Sequence, residues 1–261
     1  MQKRSFNGLV YYQFDGLHRN SDLDHGVFTR LGGVSQAPFE SLNLARSVGD
    51  DPKIVQENNR RMLSAFDLTP EGATTAWLVH GRLVAVMTRA DAGSYKPGYD
   101  AIITRERGLA LTMRFADCVP IVFFDPVQRA IGLAHAGWRG VAANVIAATV
   151  DAFRDNFGSK PHDLWAGIGP CISADRYRVG VEVLAQVIPA CPPNASIIRR
   201  QPDGSIHLDL NAAIGAQLQA CGVKNVEDSA ICTASNTTEW FSHRAENGRT
   251  GRFGVVVSLR A

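Results

Sequence analysis

The chain has 261 residues, 45% of them hydrophobic and 20% charged, an ordinary globular balance with enough apolar material for a sizeable core. Lys and Arg number 27 against 25 Asp and Glu, and the resulting +2 is too near balance for nucleic acid or an anionic membrane to be the main partner. The longest apolar run is interrupted by Pro120 in CVPIVFF, and MQKRSFNGLVYYQFDG holds no apolar stretch of leader length, so neither a membrane span nor a secretory signal is expected.

In chain order, GLVYYQF (8–14) and HGVFTR (25–30) read as strands, the second ending in the glycine-rich turn LGGVS. DDPKIVQENNRRMLSAF (50–66) reads as a helix, with Asp50 or Asp51 as cap, Pro52 in the first turn and an apolar face from Ile54, Val55, Met62, Leu63 and Phe66. From 73 to 135 short apolar stretches alternate with turns: TTAWLVH, LVAVMT, DAIIT, LALTM, VPIVFF and AIGLAH are all expected strands. The spacing predicts one helix over 141–157, where Val141, Val145, Ala148, Ala152 and Phe153 recur at helical period. LWAGIG (164–169) reads as a buried strand, helices are expected near 180–190 and over 210–221 with Asp209 as cap, and FGVVVSL (253–259) closes the chain as a strand. Runs of strands followed by helices, without strict alternation, predict an α+β fold, and nothing divides residues 1–261 into more than one domain.

Five cysteines, at 118, 171, 191, 221 and 232, are odd in number and form no CxxC pair. They read as free thiols of a reducing compartment, which makes a cytoplasmic location the expectation. Three polar residues end or follow apolar strands: His80 in WLVHG, Cys118 in FADCVPI and His135 in GLAHAGW. Separated by 38 and 17 residues, they can meet only through tertiary folding. Two imidazoles and a thiolate suit zinc, and three protein ligands leave a fourth position for water or substrate. Taken singly, each also has a plain structural explanation, because cysteine packs as a small hydrophobe and a strand-end histidine can cap a carbonyl. In HAGWRG the glycines allow close backbone approach before a helix, Arg139 offers a charge-assisted contact to an anion and Trp138 a flat face for a base or ring. Alternatively, Trp138 fills core space and Arg139 is a solvated charge.

Read together, HGVFTRLGGVS, ESLNLARSVGDDP, VHG, YDAIIT, ADCVPIVFFDP, HAGWRG, GIGPCI, HLDLNAA and CTASNTTEWFSHRAENGRTGR closely resemble the bacterial laccase-domain family, over roughly residues 20–260. Its members have been called polyphenol oxidases, multicopper-oxidase-like proteins, peptidoglycan editing factors and multifunctional purine nucleoside enzymes. The resemblance implies a single-domain α/β/β/α sandwich. It implies metal ligands at His80, Cys118 and His135, with zinc as the metal, and phosphorolysis of adenosine, inosine and 5′-methylthioadenosine together with deamination of adenosine. It further suggests Arg30 and Arg139 as phosphate-holding residues, Asn43 and Asp117 as polar supports of the site, and a purine nucleoside and phosphate as the small-molecule partners. Two positions depart from the family pattern: Leu78 stands where many relatives have Gln, and His243-Arg244 replaces a Tyr-Arg pair.

Two other chemistries fit the same residues. A copper-dependent polyphenol oxidase could use His₂Cys, since copper out-competes zinc at many such sites. A laccase, however, needs a blue copper and a trinuclear cluster held by paired HxH motifs, and the seven histidines include no such pair. A metal-free hydrolase, with Cys118 as nucleophile and His135 as base, is the third possibility, with editing of peptidoglycan precursors as a biological role taken from resemblance alone.

Overall fold

The computed structural model describes residues 1–260. Strands β1 (Gln2–Phe6) and β2 (Leu9–Gln13) form a hairpin through Asn7-Gly8, both at positive φ. Asn-Gly favours this primed turn because its twist matches that of the paired strands. β1 is a strand the apolar pattern does not announce, since it is largely exposed. After the single turn α1 (Asp15–His18) come β3 (Leu23–Phe28) and helix α2 (Pro52–Ser64), whose Asp51 cap accepts the Lys53 N–H at 2.8 Å. The expected strands between 73 and 135 all form: β4 (Ala73–Trp77), β5 (Val84–Val86), β7 (Ala101–Thr104), β8 (Ala110–Phe115), β9 (Val119–Asp125) and β10 (Ala130–Ala136). A short β6 (Tyr95–Pro97) adds to them.

The single helix expected over 141–157 is instead two. α3 (Trp138–Ala142) ends at Asn144, which sits in the left-handed region at φ 60°, and α4 (Val145–Phe157) starts afresh. Asparagine tolerates that conformation better than most residues, so a continuous apolar period is broken by one backbone angle. Beyond it lie β11 (Trp165–Ile168), α5 (Val181–Val187), β12 (Ile198–Arg200), β13 (Ile206–Leu208), α6 (Leu210–Ala220), β14 (Asn225–Asp228) and β15 (Phe253–Leu259). Asp209 caps α6 as expected, accepting from the Ala212 N–H at 3.0 Å.

One sheet of seven strands runs β1-β2-β3-β15-β8-β4-β6, another of six runs β14-β11-β9-β10-β7-β5, and β12-β13 is a separate ribbon. Period-2 alternation sorts the side chains into layers. On β9, Val119, Ile121 and Phe123 face the helices, where they meet Val145, Ile146, Val150 and Phe153 of α4 and Ile214 and Leu218 of α6. Val122 and Phe124, between them in sequence, face the other sheet and meet Met113, Phe115, Val255 and Val257. On the far side of the seven-stranded sheet, Leu42, Leu44 and Val256 pack under Met62 and Leu63 of α2. The order is helix, sheet, sheet, helix, the α/β/β/α sandwich that the resemblance implied. Burying each of these large side chains contributes about 1.5–3 kcal/mol. The two sheets meet the same end of the molecule at the end of β4, the β8–β9 connection and the end of β10.

Candidate metal centre

His80, Cys118 and His135 come together at that end. In the β9–β10 hairpin, Ala136 lies opposite Val119 and His135 opposite Pro120, so the residue just before β9, Cys118, is brought beside the end of β10. His80 follows β4 in the other sheet, in a turn where its own φ is 61°. Their donor atoms all lie within 4.8 Å of one another, and among the described residues they are the group of three or more donors placed to hold a metal ion. The His80 Nε2 is 3.9 Å from the Cys118 Sγ, and the two imidazole rings meet edge to face at 4.8 Å between centroids. Gly137 completes the fit. A Cβ there would lie 2.8 Å from the Cys118 Sγ and 3.3 Å from the His80 Cδ2, so the first glycine of HAGWRG leaves room for the thiol.

Asp100 organises the group and carries no spacing signal that the sequence reading used. Its buried carboxylate accepts a hydrogen bond from the His135 Nδ1–H (3.0 Å) and backbone N–H bonds from Val79 (3.2 Å), His80 (2.9 Å) and Gly81 (2.6 Å). One side chain thus fixes the His135 tautomer, leaving the Nε2 lone pair facing the group, and holds the turn, at positive φ, that carries His80. Burial pushes the Asp100 carboxyl up, but the His135 and Gly81 hydrogen bonds outweigh it and hold the group below its ordinary value. Burial likewise raises the Cys118 thiol, yet the charge and hydrogen bond of His135, helped by His80, bring it down to about 6. Burial lowers His135, while the Cys118 charge and the Asp100 hydrogen bond lift it to about 9. A thiolate at neutral pH is what both a metal and a nucleophilic reaction require. The two nitrogens and one sulfur, with one histidine braced by a carboxylate, fit a zinc-type ion.

The group lies in a cleft of about 870 Å³. Its charged lining is lopsided: Arg46, Arg114, Arg139, Arg244 and Arg252 against the single carboxylate of Asp117. Of the four supporting residues expected from the resemblance, Arg139 and Asp117 line the cleft, and Arg30 and Asn43 stand behind it. Arg139 is exposed and lies over the Trp138 ring, 4.5 Å from its centroid. The Asp117 oxygens are already engaged, by the hydroxyls of Thr233 and Ser242, both at 2.7 Å, and by the Arg244 N–H at 2.6 Å. It therefore anchors the loop that carries His243 and Arg244 to the cleft. Arg30 donates to the Glu40 and Thr237 carbonyls, both at 2.7 Å, pairs with Glu246 at 3.0 Å and covers the Phe241 ring. The buried Asn43 accepts from the Arg252 N–H at 2.9 Å and donates to Asp50. These two fix loops, and the cleft-lining arginines other than Arg139 (46, 114, 244 and 252) were not singled out as phosphate-holding in the sequence. Both departures, Leu78 and the pair His243-Arg244, line the cleft as well. His25, by contrast, is buried elsewhere, its Nε2 accepting the Phe14 N–H at 2.8 Å.

Against this geometry the comparisons decide the family. The family model described as multi-copper polyphenol oxidoreductase laccase matches residues 24–260. The chain belongs to this family. Among curated relatives, the purine nucleoside phosphorylase YlmD of Geobacillus stearothermophilus is 36% identical over 245 residues, covering 90% of this chain and 89% of that protein. A purine nucleoside phosphorylase of Deinococcus radiodurans is 35% identical over 240 residues, covering 92% and 90%. Among solved structures, Geobacillus stearothermophilus YlmD superposes with a TM-score of 0.93 at 33% identity, covering 99% of this chain and 98% of that one. YfiH of Bacillus licheniformis gives 0.92 at 28% identity, covering 99% of both chains. The family fold is thus the sandwich described above. Among the described residues no helix is long and apolar enough to cross a membrane.

Proposed function

We propose that the chain is a zinc-dependent purine nucleoside enzyme that cleaves adenosine, inosine and 5′-methylthioadenosine by phosphorolysis and deaminates adenosine. The observation that carries this reading is the braced His80, Cys118 and His135 group in an arginine-lined cleft, an arrangement suited to a metal and an anion together. Relatives named purine nucleoside phosphorylase support the nucleoside half of it.

In this reading His80, Cys118 and His135 hold zinc, whose Lewis acidity is available, when it is bound, to water or phosphate. Asp100 keeps the proton on His135 Nδ1 and the lone pair on Nε2. Arg139 offsets the charge of an incoming phosphate, and Trp138, half-buried under it in the cleft wall, offers the edge of a planar surface to a base. Asp117 serves as an anchor: a carboxylate accepting three hydrogen bonds is poorly suited to donate a proton to a departing purine. Arg30 and Asn43 act through the loops they hold.

The metal-free alternative draws support from the Cys118 thiolate beside a protonated His135. The copper reading has the same donors but, among the described residues, lacks the further histidine clusters a laccase needs. One experiment separates all three. Adenosine is incubated with zinc-loaded protein, with and without phosphate, and products are identified by chromatography with mass detection, beside Cys118→Ala. Phosphate-dependent adenine and ribose 1-phosphate, together with phosphate-independent inosine, both lost in the variant and on chelation, are expected. Adenosine recovered intact overturns the reading. Activity indifferent to chelators but abolished by iodoacetamide identifies the cysteine hydrolase, and phenol oxidation at enzymatic rates after copper loading identifies the oxidase.

A further inference from the structure

Arg114 occupies a position where the sequence pattern implies a solvated face. On β8 the side chains of Leu111, Met113 and Phe115 enter the core between the sheets, so Thr112 and Arg114 point the other way. That face is not open to water at Arg114, because α2 and the segment after Leu44 cover it. The guanidinium donates to the Leu44 carbonyl (3.1 Å), to the hydroxyls of Thr75 (2.7 Å) and Thr112 (3.1 Å) and to the Asn59 amide oxygen (2.5 Å). Every one of these acceptors is neutral. Four of the five guanidinium N–H groups are used, and the fifth remains for a ligand. A guanidinium taken out of water without a counter-charge is costly, and a bound anion removes that cost.

Two more arginines share the wall. Gly254 of β15 lies directly opposite Arg114, so Arg252, two residues away, falls on the same face of the sheet and lines the cleft. Its own guanidinium is held by the carbonyls of Thr250 (3.1 Å) and Gly251 (2.8 Å), again neutral. Arg46 lines the cleft beside them with its side chain exposed. A flat surface in the same cleft is Trp77, 58% exposed, two residues beyond Thr75 on the same face of β4 and 6.4 Å from the Tyr95 ring. Three cations with no carboxylate among their hydrogen-bond partners, a rigid fork set by four neutral acceptors and an aromatic rim make a concave site for a tetrahedral dianion attached to, or lying beside, a ring.

We propose that Arg114, with Arg46 and Arg252, forms a phosphate-binding subsite on the outer face of the seven-stranded sheet, within the cleft but built on different strands from the metal ligands. The phosphate comes either as the inorganic ion or as the ester group of a sugar phosphate. The proposal rests on the nucleoside reading only for what the phosphate reacts with; the anion site itself stands on the arginines. It replaces Arg30 as the expected phosphate holder and gives Arg139 the lesser part.

Equilibrium dialysis with labelled inorganic phosphate, and separately with ribose 5-phosphate, tests it on the zinc-loaded protein. Arg46→Gln is the informative variant, because an exposed side chain leaves the fold intact, and its zinc content and melting temperature are expected to match the wild type. Loss of one charge-assisted contact weakens phosphate binding roughly tenfold or more. Arg114→Lys, which keeps the charge but not the fork, weakens it at least as much, and Arg139→Gln weakens it less. The ligand bound more tightly by the wild type identifies the source. Wild-type affinity for both ligands in Arg46→Gln and Arg114→Lys, or loss of binding in Arg139→Gln alone, overturns the proposal. Phosphate binding that falls in Arg46→Gln while adenosine stays untouched supports the subsite and sinks the nucleoside reading. Phosphorolysis with an unchanged phosphate KM in both variants supports that reading and sinks the subsite.

Discussion

Replacing Asp100 with asparagine tests the metal centre through a residue that touches no substrate. The wild-type carboxylate accepts four bonds, two on each oxygen: His135 Nδ1 and the His80 N–H on one, the Val79 and Gly81 N–H groups on the other. Asparagine keeps a single acceptor oxygen and turns hydrogens toward the other two donors. Whichever way the amide is oriented, two donors lose their partner, at about 1–3 kcal/mol each, or roughly 2–6 kcal/mol before relaxation. Part of that loss falls on folding and part on the geometry of His80 and His135. Carboxylates that orient a ligating histidine typically account for about 10–100-fold in metal affinity, equal to about 1.4–2.7 kcal/mol. The assay is competition for zinc against a chromophoric chelator on protein that circular dichroism shows to be folded, with thermal melts of the metal-free forms. Asp100→Asn is expected to bind zinc at least tenfold more weakly and to melt lower. Zinc binding within twofold of wild type, with an unchanged melting temperature, refutes the role assigned to Asp100.

Gly137→Ala places a methyl group 2.8 Å from the Cys118 Sγ, so zinc affinity is expected to drop while the far-ultraviolet dichroism stays native. An unaltered affinity contradicts the close approach. His25 is a buried neutral imidazole, held down to about 3 by burial and, secondarily, by the charge of His18. Its contribution to stability is complete above the unfolded value near 6.5 and is lost as pH falls toward 3, at about 1.4 kcal/mol per pH unit. The acid limb of a melting-temperature profile should therefore be shallower in His25→Gln than in the wild type; identical limbs count against burial of the neutral ring. Asp117→Ala strands two hydroxyls and an N–H group, which should loosen the 233–246 loop. The result to look for is a raised nucleoside KM at unchanged zinc content, and a loss of zinc with KM intact points instead to a ligand role. Phe123→Ala, deep between β9 and α4, should cost about 3–5 kcal/mol in urea unfolding.

Much of the layer order can be read from alternation. β9 and β15 are buried on both faces, and their unbroken apolar runs say so. The Asn7-Gly8 turn was there to be read too, but the strand before it is exposed and carries little apolar signal. The division of 141–157 was hidden because one αL residue interrupts a helix without disturbing its apolar period. At the site, the three candidate ligands are legible as polar residues ending apolar strands. Asp100 is not, since an aspartate before AIIT looks like any turn residue until the β10 register brings His135 to it. Arg114 is the sharpest case. In LTMRF it alternates correctly as a surface residue, and only the packing of α2 and residues 44–47 turns that surface into a cleft wall. Arg30 is the opposite case: the family resemblance suggests a phosphate-holding residue, while in the structure its guanidinium is engaged by Glu246 and two carbonyls.

The central claim is that one ion held by His80, Cys118 and His135 carries the activity. X-ray absorption at the zinc edge, on protein reconstituted to constant activity, tests it most directly when paired with metal analysis. The account predicts one zinc per chain with one sulfur and two imidazole donors, lost in Cys118→Ala together with adenosine turnover. Full turnover by protein stripped of metal, or a zinc shell without sulfur, contradicts it.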